Sequence, residues 1–389
     1  MKILFVSHDG KIKGGAGLAL IELIDSMIKL YNIEPIVLVP KNGEEIIEYL
    51  ENKGIEYIIN DNYWWCIGKN KNIIKQSYHY IKLILKQFKM LLGLRNLNKK
   101  IKEKNIDLIH TNSSVVNIGA LLNYFYGIPH IWHVREFGEE HHNLVFIFGE
   151  KKTREFMART SDYIVVISEA LKRKYIKYVN KEKVIRIYDG LPKKYFNYNE
   201  KKTDMSVFNI ISVGAIQKGK RQKDLILAIL KILEKGYKIN LYIVGRKDDE
   251  AYYNEILDII KSHDNIKNNI IFKGYCDNMN KIRSDMDLEV VCSMMEGFGR
   301  VTVEAMLSAL PVIVSRSGAN TELVKENENG LIYDINNIDE LSEKILEIYM
   351  NRENGVLMGK RGYEIAEKNF TQEQNSKNIY NLYSKVLKR

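Results

Sequence analysis

A chain of 389 residues is too long for one ordinary core and suits two domains of roughly 150–200 residues each. Its 45 % hydrophobic and 28 % charged residues exclude a disordered protein, and three scattered cysteines (Cys66, Cys276, Cys292) exclude a disulfide framework and a thiolate zinc site. The formal net charge of +10, with pI near 9.1, points to an anionic partner: nucleic acid, a lipid headgroup surface or a phosphorylated substrate.

The opening apolar run, Lys2 to Ser7, is too short for a signal peptide, and no stretch approaches the ~18 apolar residues that span a bilayer. A cytoplasmic protein is expected. The run reads instead as a buried parallel strand, followed by a glycine-rich loop and a helix from about Leu18 to Leu30. The loop contains Gly14, Gly15 and Gly17, but a dinucleotide fingerprint fails. Leu20 stands where a third small residue is needed, and the second strand, Ile36–Val39, ends in Pro40-Lys41 without a ribose-binding acid.

Strands follow at Ile55–Ile59, Leu108–His110, His130–His133 and Ile164–Ile167, each flanked by helical or loop sequence. Between them, residues 69–104 hold eleven basic residues against the single acid Glu103, and Tyr80 to Leu92 is helical with lysines interleaved among bulky apolar residues. Two readings stay open for such a helix: it lies in an anionic membrane interface, toward which Trp64 and Trp65 just upstream point, or it packs one face on the core and leaves a solvated basic face. No nucleic-acid-binding module is present. The adjacent His141 and His142 lack metal-ligand spacing.

Pro192 to Asp204 is polar and poor in strand signals, and the alternation restarts at Phe208. Strands are expected at Phe208–Gly214, Leu241–Val244, Ile270–Phe272, Leu288–Val291, Pro311–Val314 and Leu331–Tyr333, with a last helix over about Thr371–Lys388. Strands alternating with helices make an α/β protein of doubly wound parallel sheets. The expected division is 1–190, a hinge at 191–206, a second domain over 207–370 and a terminal helix over 371–389. Asp285-Met286-Asp287 has the form of a metal-binding D-x-D, but it precedes its strand, so Asp287 is read as capping the strand entry.

The most informative segment is Glu296-Gly297-Phe298-Gly299-Arg300-Val301-Thr302-Val303-Glu304. It follows a strand and opens a helix, so its glycines allow close backbone approach while the first helical N–H groups suit a phosphate. With Ser293 before it, and Pro311 to Val314, Ser317 to Glu322 and Asn329-Gly330 after it, this E-x7-E block resembles the retaining glycosyltransferases of family 4. Val213-Gly214 with Lys218-Gly219-Lys220, and Phe272-Lys273-Gly274-Tyr275, are further similarities. The resemblance covers nearly the whole chain.

That resemblance implies the GT-B architecture, two facing Rossmann-like domains with a C-terminal helix crossing back to the first. It implies a nucleotide-sugar donor, UDP- or GDP-linked, and a glycan or lipid-linked acceptor, with no metal and no other cofactor. Lys220 is expected to bind the donor phosphates, Glu296 to position the sugar and Glu304 to grip the ribose. Gly14, Gly15, Gly214, Gly245, Gly274, Tyr275 and Gly297, Phe298, Gly299, Arg300, Val301 and Thr302 are expected along the donor. Many members carry an arginine where this chain has Ala215, so Lys218 or Arg221 must supply the second positive charge. His133 is expected near the sugar, with Arg135 and Glu136 toward the acceptor. The reaction implied is retaining transfer without a side-chain nucleophile, in bacterial surface polysaccharide or glycolipid assembly, with the protein peripheral on the inner face of the membrane. Two other classes stay open: a nucleotide-sugar epimerase of the same fold, and a non-catalytic membrane- or anion-binding protein.

Overall fold

The computed structural model describes residues 1–12, 14–70, 72–198, 207–263 and 267–388. Residues 199–206 of the expected hinge, Lys71 of the basic stretch and the side chains of His141 and His142 lie outside the described residues.

Two compact units emerge. The first comprises residues 1–190 together with those from Gln372 onward, and the second comprises Leu191–Thr371. Each is built on one parallel sheet. In the first, seven strands run in the order Glu56–Asn60, Glu34–Pro40, Lys2–Val6, Leu108–Asn112, His130–Val134, Tyr163–Val166, Val184–Arg186. In the second, six run in the order Ile270–Gly274, Ile239–Val244, Phe208–Val213, Leu288–Val291, Val312–Ser315, Gly330–Tyr333. In both sheets the first strand of the unit sits centrally and the order reverses beside it, which opens a crevice at the carboxyl ends of the strands.

The strands are near-continuous apolar runs because helices cover both sheet faces. Ile3, Leu4, Phe5 and Val6 are all buried, pointing alternately to the two faces. Helix Gly15–Tyr31 buries Leu20, Leu23, Ile24 and Met27, spaced to fall on one side. The last helix, Gln372–Leu387, belongs to the first unit: Ile379, Leu382, Tyr383 and Val386 join its core, and Tyr380 stacks on Tyr31 with centroids 4.1 Å apart. Its return is therefore a packing event, driven by burial of one apolar stripe.

Three short strands were not expected. Val184–Arg186 extends the first sheet, and Cys66–Gly68 pairs antiparallel with Leu144–Phe146. The basic helix is longer than its apolar pattern suggests, spanning Ile73–Glu103, with Asn72 Oδ1 capping it by accepting from the Lys75 N–H. Asp287 does tie down its strand entry: its carboxylate accepts from the Asn209 N–H at 2.7 Å. No helix among the described residues is long and apolar enough to cross a membrane.

Candidate active site

In the second unit, the loops after the strands bring distant motifs together. Lys220 Nζ donates to Glu296 Oε1 at 2.5 Å across 76 positions of sequence. The two side chains keep 19 % and 12 % exposure, so the pair is partly buried and retains a solvent-facing edge. Met294 N–H donates to the Gly219 carbonyl at 2.9 Å, clamping the two loops that carry them. Gly318 makes the loop of Glu296 possible. It has φ +51°, and a Cβ there would lie 2.3 Å from the Glu296 carbonyl oxygen, a clash with backbone that no rotamer relieves.

Three strand-end glycines form a second wall. Gly214 N–H donates to the Val244 carbonyl and Gly245 N–H to the Gly274 carbonyl, which sets Gly214, Gly245 and Gly274 side by side. A Cβ on Gly245 would sit 1.9 Å from the Gly214 carbonyl oxygen, and the Lys220 stem passes in van der Waals reach of Gly214, 3.7 Å from where a Cβ would stand. Tyr275, next in the chain, is exposed. The two cations weighed as substitutes at Ala215 differ. Arg221 is already committed, donating to Asp224 Oδ2 at 2.6 Å and to Asn336, whereas Lys218 is exposed and in no ion pair among the described residues.

Helix Arg300–Met306 begins at Gly299, whose φ of +94° is a left-handed cap. Its first intrahelical bond runs from the Val303 N–H to the Gly299 carbonyl, so the N–H groups of Arg300, Val301 and Thr302 have no intrahelical acceptor. Gly297 is buried in the preceding turn. Beside Gly299 lie two buried oxygens without a hydrogen-bond partner among the described residues, Thr302 Oγ1 and Asn320 Oδ1. Phe298 departs from its expected role: its ring is buried edge-on against Phe370, leaving only backbone toward a ligand.

Glu304 is held from behind. Arg283, fully buried, donates to Glu304 Oε2 at 3.0 Å and to both oxygens of Glu289 at 2.8 and 3.3 Å. Burial pushes the Glu289 carboxyl up, and the Arg283 charge opposes that. Sequence reading missed Arg283 and Glu289. The one signal was an acid inside the apolar run Leu288-Glu289-Val290-Val291, which demands a buried cation.

In the first unit the expected residues are enclosed. Arg135 is buried, donating through Nε to Asn112 Oδ1 at 2.5 Å and through Nη1 to Asp189. Glu136 Oε1 accepts from Ser113 Oγ, Ser114 N–H and Ser114 Oγ at 2.6–2.8 Å. Both were expected to face an acceptor; both are instead turned inward, where those partners satisfy their charge. His133 is also buried. Arg135 Nη2 lies 3.4 Å from His133 Nδ1, and a guanidinium only donates, so Nδ1 accepts and the proton sits on Nε2. Burial, then the Arg135 charge, holds the ring neutral, well below the usual histidine range. His110 Nε2 donates to the same Nδ1 at 3.2 Å and takes a bond from the Tyr383 hydroxyl on its other nitrogen at 2.7 Å. The enclosed Nε2–H of His133 has no hydrogen-bond partner among the described residues. Gly14 and Gly15 start their helix in open space, where an added Cβ would meet nothing within 4 Å.

Two known protein families match the chain between residues 13 and 365. Residues 196–365 match the family described as Glycosyl transferases group 1, and residues 13–194 match Glycosyltransferase Family 4. An uncharacterized glycosyltransferase of Methanocaldococcus jannaschii is 27 % identical over 84 % of this chain and 88 % of its own. The poly(ribitol-phosphate) alpha-N-acetylglucosaminyltransferase of Staphylococcus aureus is 22 % identical over 86 % of this chain and 66 % of its own. Among solved structures, Anabaena HepE in complex with UDP and glucose superposes with a TM-score of 0.76 at 21 % identity, covering 99 % of both chains. Two parallel-sheet units of this topology, with these two matches end to end, place the chain among the family 4, group 1 glycosyltransferases of GT-B fold.

Proposed function

We propose that the protein is a retaining, metal-independent hexosyltransferase. It moves a sugar from a UDP- or GDP-linked donor to a glycan or lipid-linked acceptor in bacterial surface polysaccharide or glycolipid assembly. The observation that carries this reading is the partly exposed Lys220–Glu296 pair, clamped at strand ends beside the start of helix Arg300–Met306. An ammonium group there answers a diphosphate, and the carboxylate beside it answers sugar hydroxyls. The UDP-glucose complex of HepE supports a nucleotide-sugar donor on this fold. Relatives named for poly(ribitol-phosphate) glycosylation and capsular polysaccharide biosynthesis support the biological setting.

In this mechanism the acceptor hydroxyl attacks the anomeric carbon on the face that the diphosphate leaves. The C–O bond to phosphate breaks, the new glycosidic bond forms, and a departing phosphate oxygen takes the hydroxyl proton. Negative charge grows on the diphosphate, where Lys220, with Lys218 as the uncommitted second cation, stabilises it. An aimed donor of this kind is worth ~2.7–4 kcal/mol of barrier. Glu296 orients the sugar, and Glu304 accepts from the ribose hydroxyls while Arg283 fixes its direction.

The test is donor binding and nucleotide release for Lys220→Ala and Glu304→Ala. Both should fall sharply, with the product keeping the donor's anomeric configuration by NMR and turnover surviving a metal chelator. Unchanged kinetics in both variants would refute the assignment. Isomerised sugar from donor alone would favour an epimerase.

A further inference from the structure

Helix Ile73–Glu103 carries two apolar seams. Tyr80, Leu83, Met90, Leu94, Leu97 and Ile101 form the inward one, buried from Leu83 onward. Ile74, Tyr78, Ile81, Leu85, Phe88 and Leu92 repeat at 4-3-4-3-4 spacing on the opposite side of the helix. That second seam is open: Ile74 is 82 % exposed, Leu85 63 % and Leu92 68 %. Beside it runs a lysine row, Lys75, Lys82, Lys86 and Lys89. A continuous exposed apolar stripe marks a surface that something covers.

Charge decides what. From Ile73 to Lys102 the helix contains no acid. A second copy docked on this seam would set lysine rows against each other with no carboxylate to answer them. An anionic bilayer answers the seam with its acyl boundary and the lysines with its headgroups.

The same helix walls a cavity of about 670 Å³ at the carboxyl ends of the first three strands of the unit. His8, Lys41 and Trp64 line it from the strand side, and Lys82, Leu83 and Lys86 from the helix. Two acids line the cavity: Asp9, whose carboxylate accepts from the Gly10 N–H at 2.7 Å, and Asp61, which is shared between Lys41 at 3.0 Å and Lys89 at 3.4 Å. Neither Lys82 nor Lys86 is in an ion pair among the described residues; the Lys86 ammonium rests 5.4 Å above the Tyr63 ring. Two uncommitted cations thus belong at once to the rim of the apolar stripe and to the wall of the cavity.

We infer that this helix lies in an anionic bilayer interface and that the cavity it walls takes the phosphate-bearing headgroup of a lipid-linked acceptor. The inference rests on the glycosyltransferase reading and narrows its acceptor. The lipid chain stays in the bilayer while Lys82 and Lys86 hold the headgroup phosphate.

Flotation of the full chain with phosphatidylglycerol–phosphatidylcholine vesicles tests the surface, and transfer to a vesicle-borne polyprenyl-diphosphate monosaccharide tests the cavity. Wild type should float with anionic vesicles, not with phosphatidylcholine alone, and should lose binding as salt rises. Leu85→Asp combined with Phe88→Asp should abolish flotation while leaving calorimetric UDP binding intact. Lys82→Ala and Lys86→Ala should each weaken vesicle binding about fivefold and raise KM for the lipid-linked acceptor. Several results would overturn the inference: wild type that stays at the bottom, a double variant that still floats, a dimer that the double variant dissociates, or transfer confined to soluble poly(ribitol phosphate). Loss of UDP binding in wild type, with flotation kept, would count against the donor reading instead.

Discussion

The two units hold their polar constellations in opposite ways. In the first, Arg135, Asp189, Glu136, His110 and His133 are shut in among buried partners, Glu136 with Ser113 and Ser114 and Arg135 with Asp189 and Asn112. In the second, the Lys220–Glu296 pair keeps a solvent-facing edge, and the supporting Arg283–Glu289 pair is buried. The contrast teaches that a charged residue at a strand end is no single kind of object. Enclosed, it serves the scaffold and its loss is read in stability; half-open, it serves a ligand and its loss is read in turnover.

The sharpest way to break this comparison is Arg135→Met. It strands the buried Asp189 carboxylate, so denaturant unfolding should show a loss of about 3–5 kcal/mol. A stable variant with altered acceptor KM would place Arg135 on the ligand side after all. Lys220→Ala should show the converse: nucleotide release slowed 10²–10³-fold, equivalent to ~2.7–4 kcal/mol, with an unchanged melting temperature.

Acid should also separate the regions. Burial depresses His130 to about 4, while its Nδ1–H donates to the Thr160 carbonyl and its Nε2 accepts from the Thr111 hydroxyl. The unfolded chain therefore binds more protons than the folded one below about pH 6.5, and stability drops as pH falls from there toward 4. For this residue the loss is up to about 3 kcal/mol. His130→Asn should flatten that slope in pH-dependent unfolding; an identical slope would assign it elsewhere. Smallest is Tyr383→Phe, which removes the hydroxyl bond to His110 and should cost about 0.5–1.5 kcal/mol. If it also lowers kcat without changing donor affinity, the His110–His133 chain reaches the chemistry.

Much of this was legible in the sequence, because it depended on period and spacing. Alternating apolar runs located twelve of the thirteen strands of the two main sheets, and the glycine turn with Glu296 and Glu304 located the second-unit site. The rest depended on orientation, which spacing does not encode. Arg135 follows a strand as a ligand-facing residue would, yet a buried aspartate 54 positions later turns it inward. Glu289 announced a need for a partner without saying that Arg283 would meet it, or that Glu304 would share it. The three-residue strands Val184–Arg186 and Cys66–Gly68 are too short to carry a period at all.

The last helix brings a further consequence. Its Tyr383 closes the core around His110, and its Asn375 amide donates to the Tyr188 carbonyl at 2.6 Å. A ribosome therefore emits nearly all of the first unit, then the entire second, before supplying the piece that finishes the first. The early half must wait, incompletely packed, through more than 180 residues of synthesis, so nascent-chain quality control, not the finished enzyme, meets this protein's most vulnerable state.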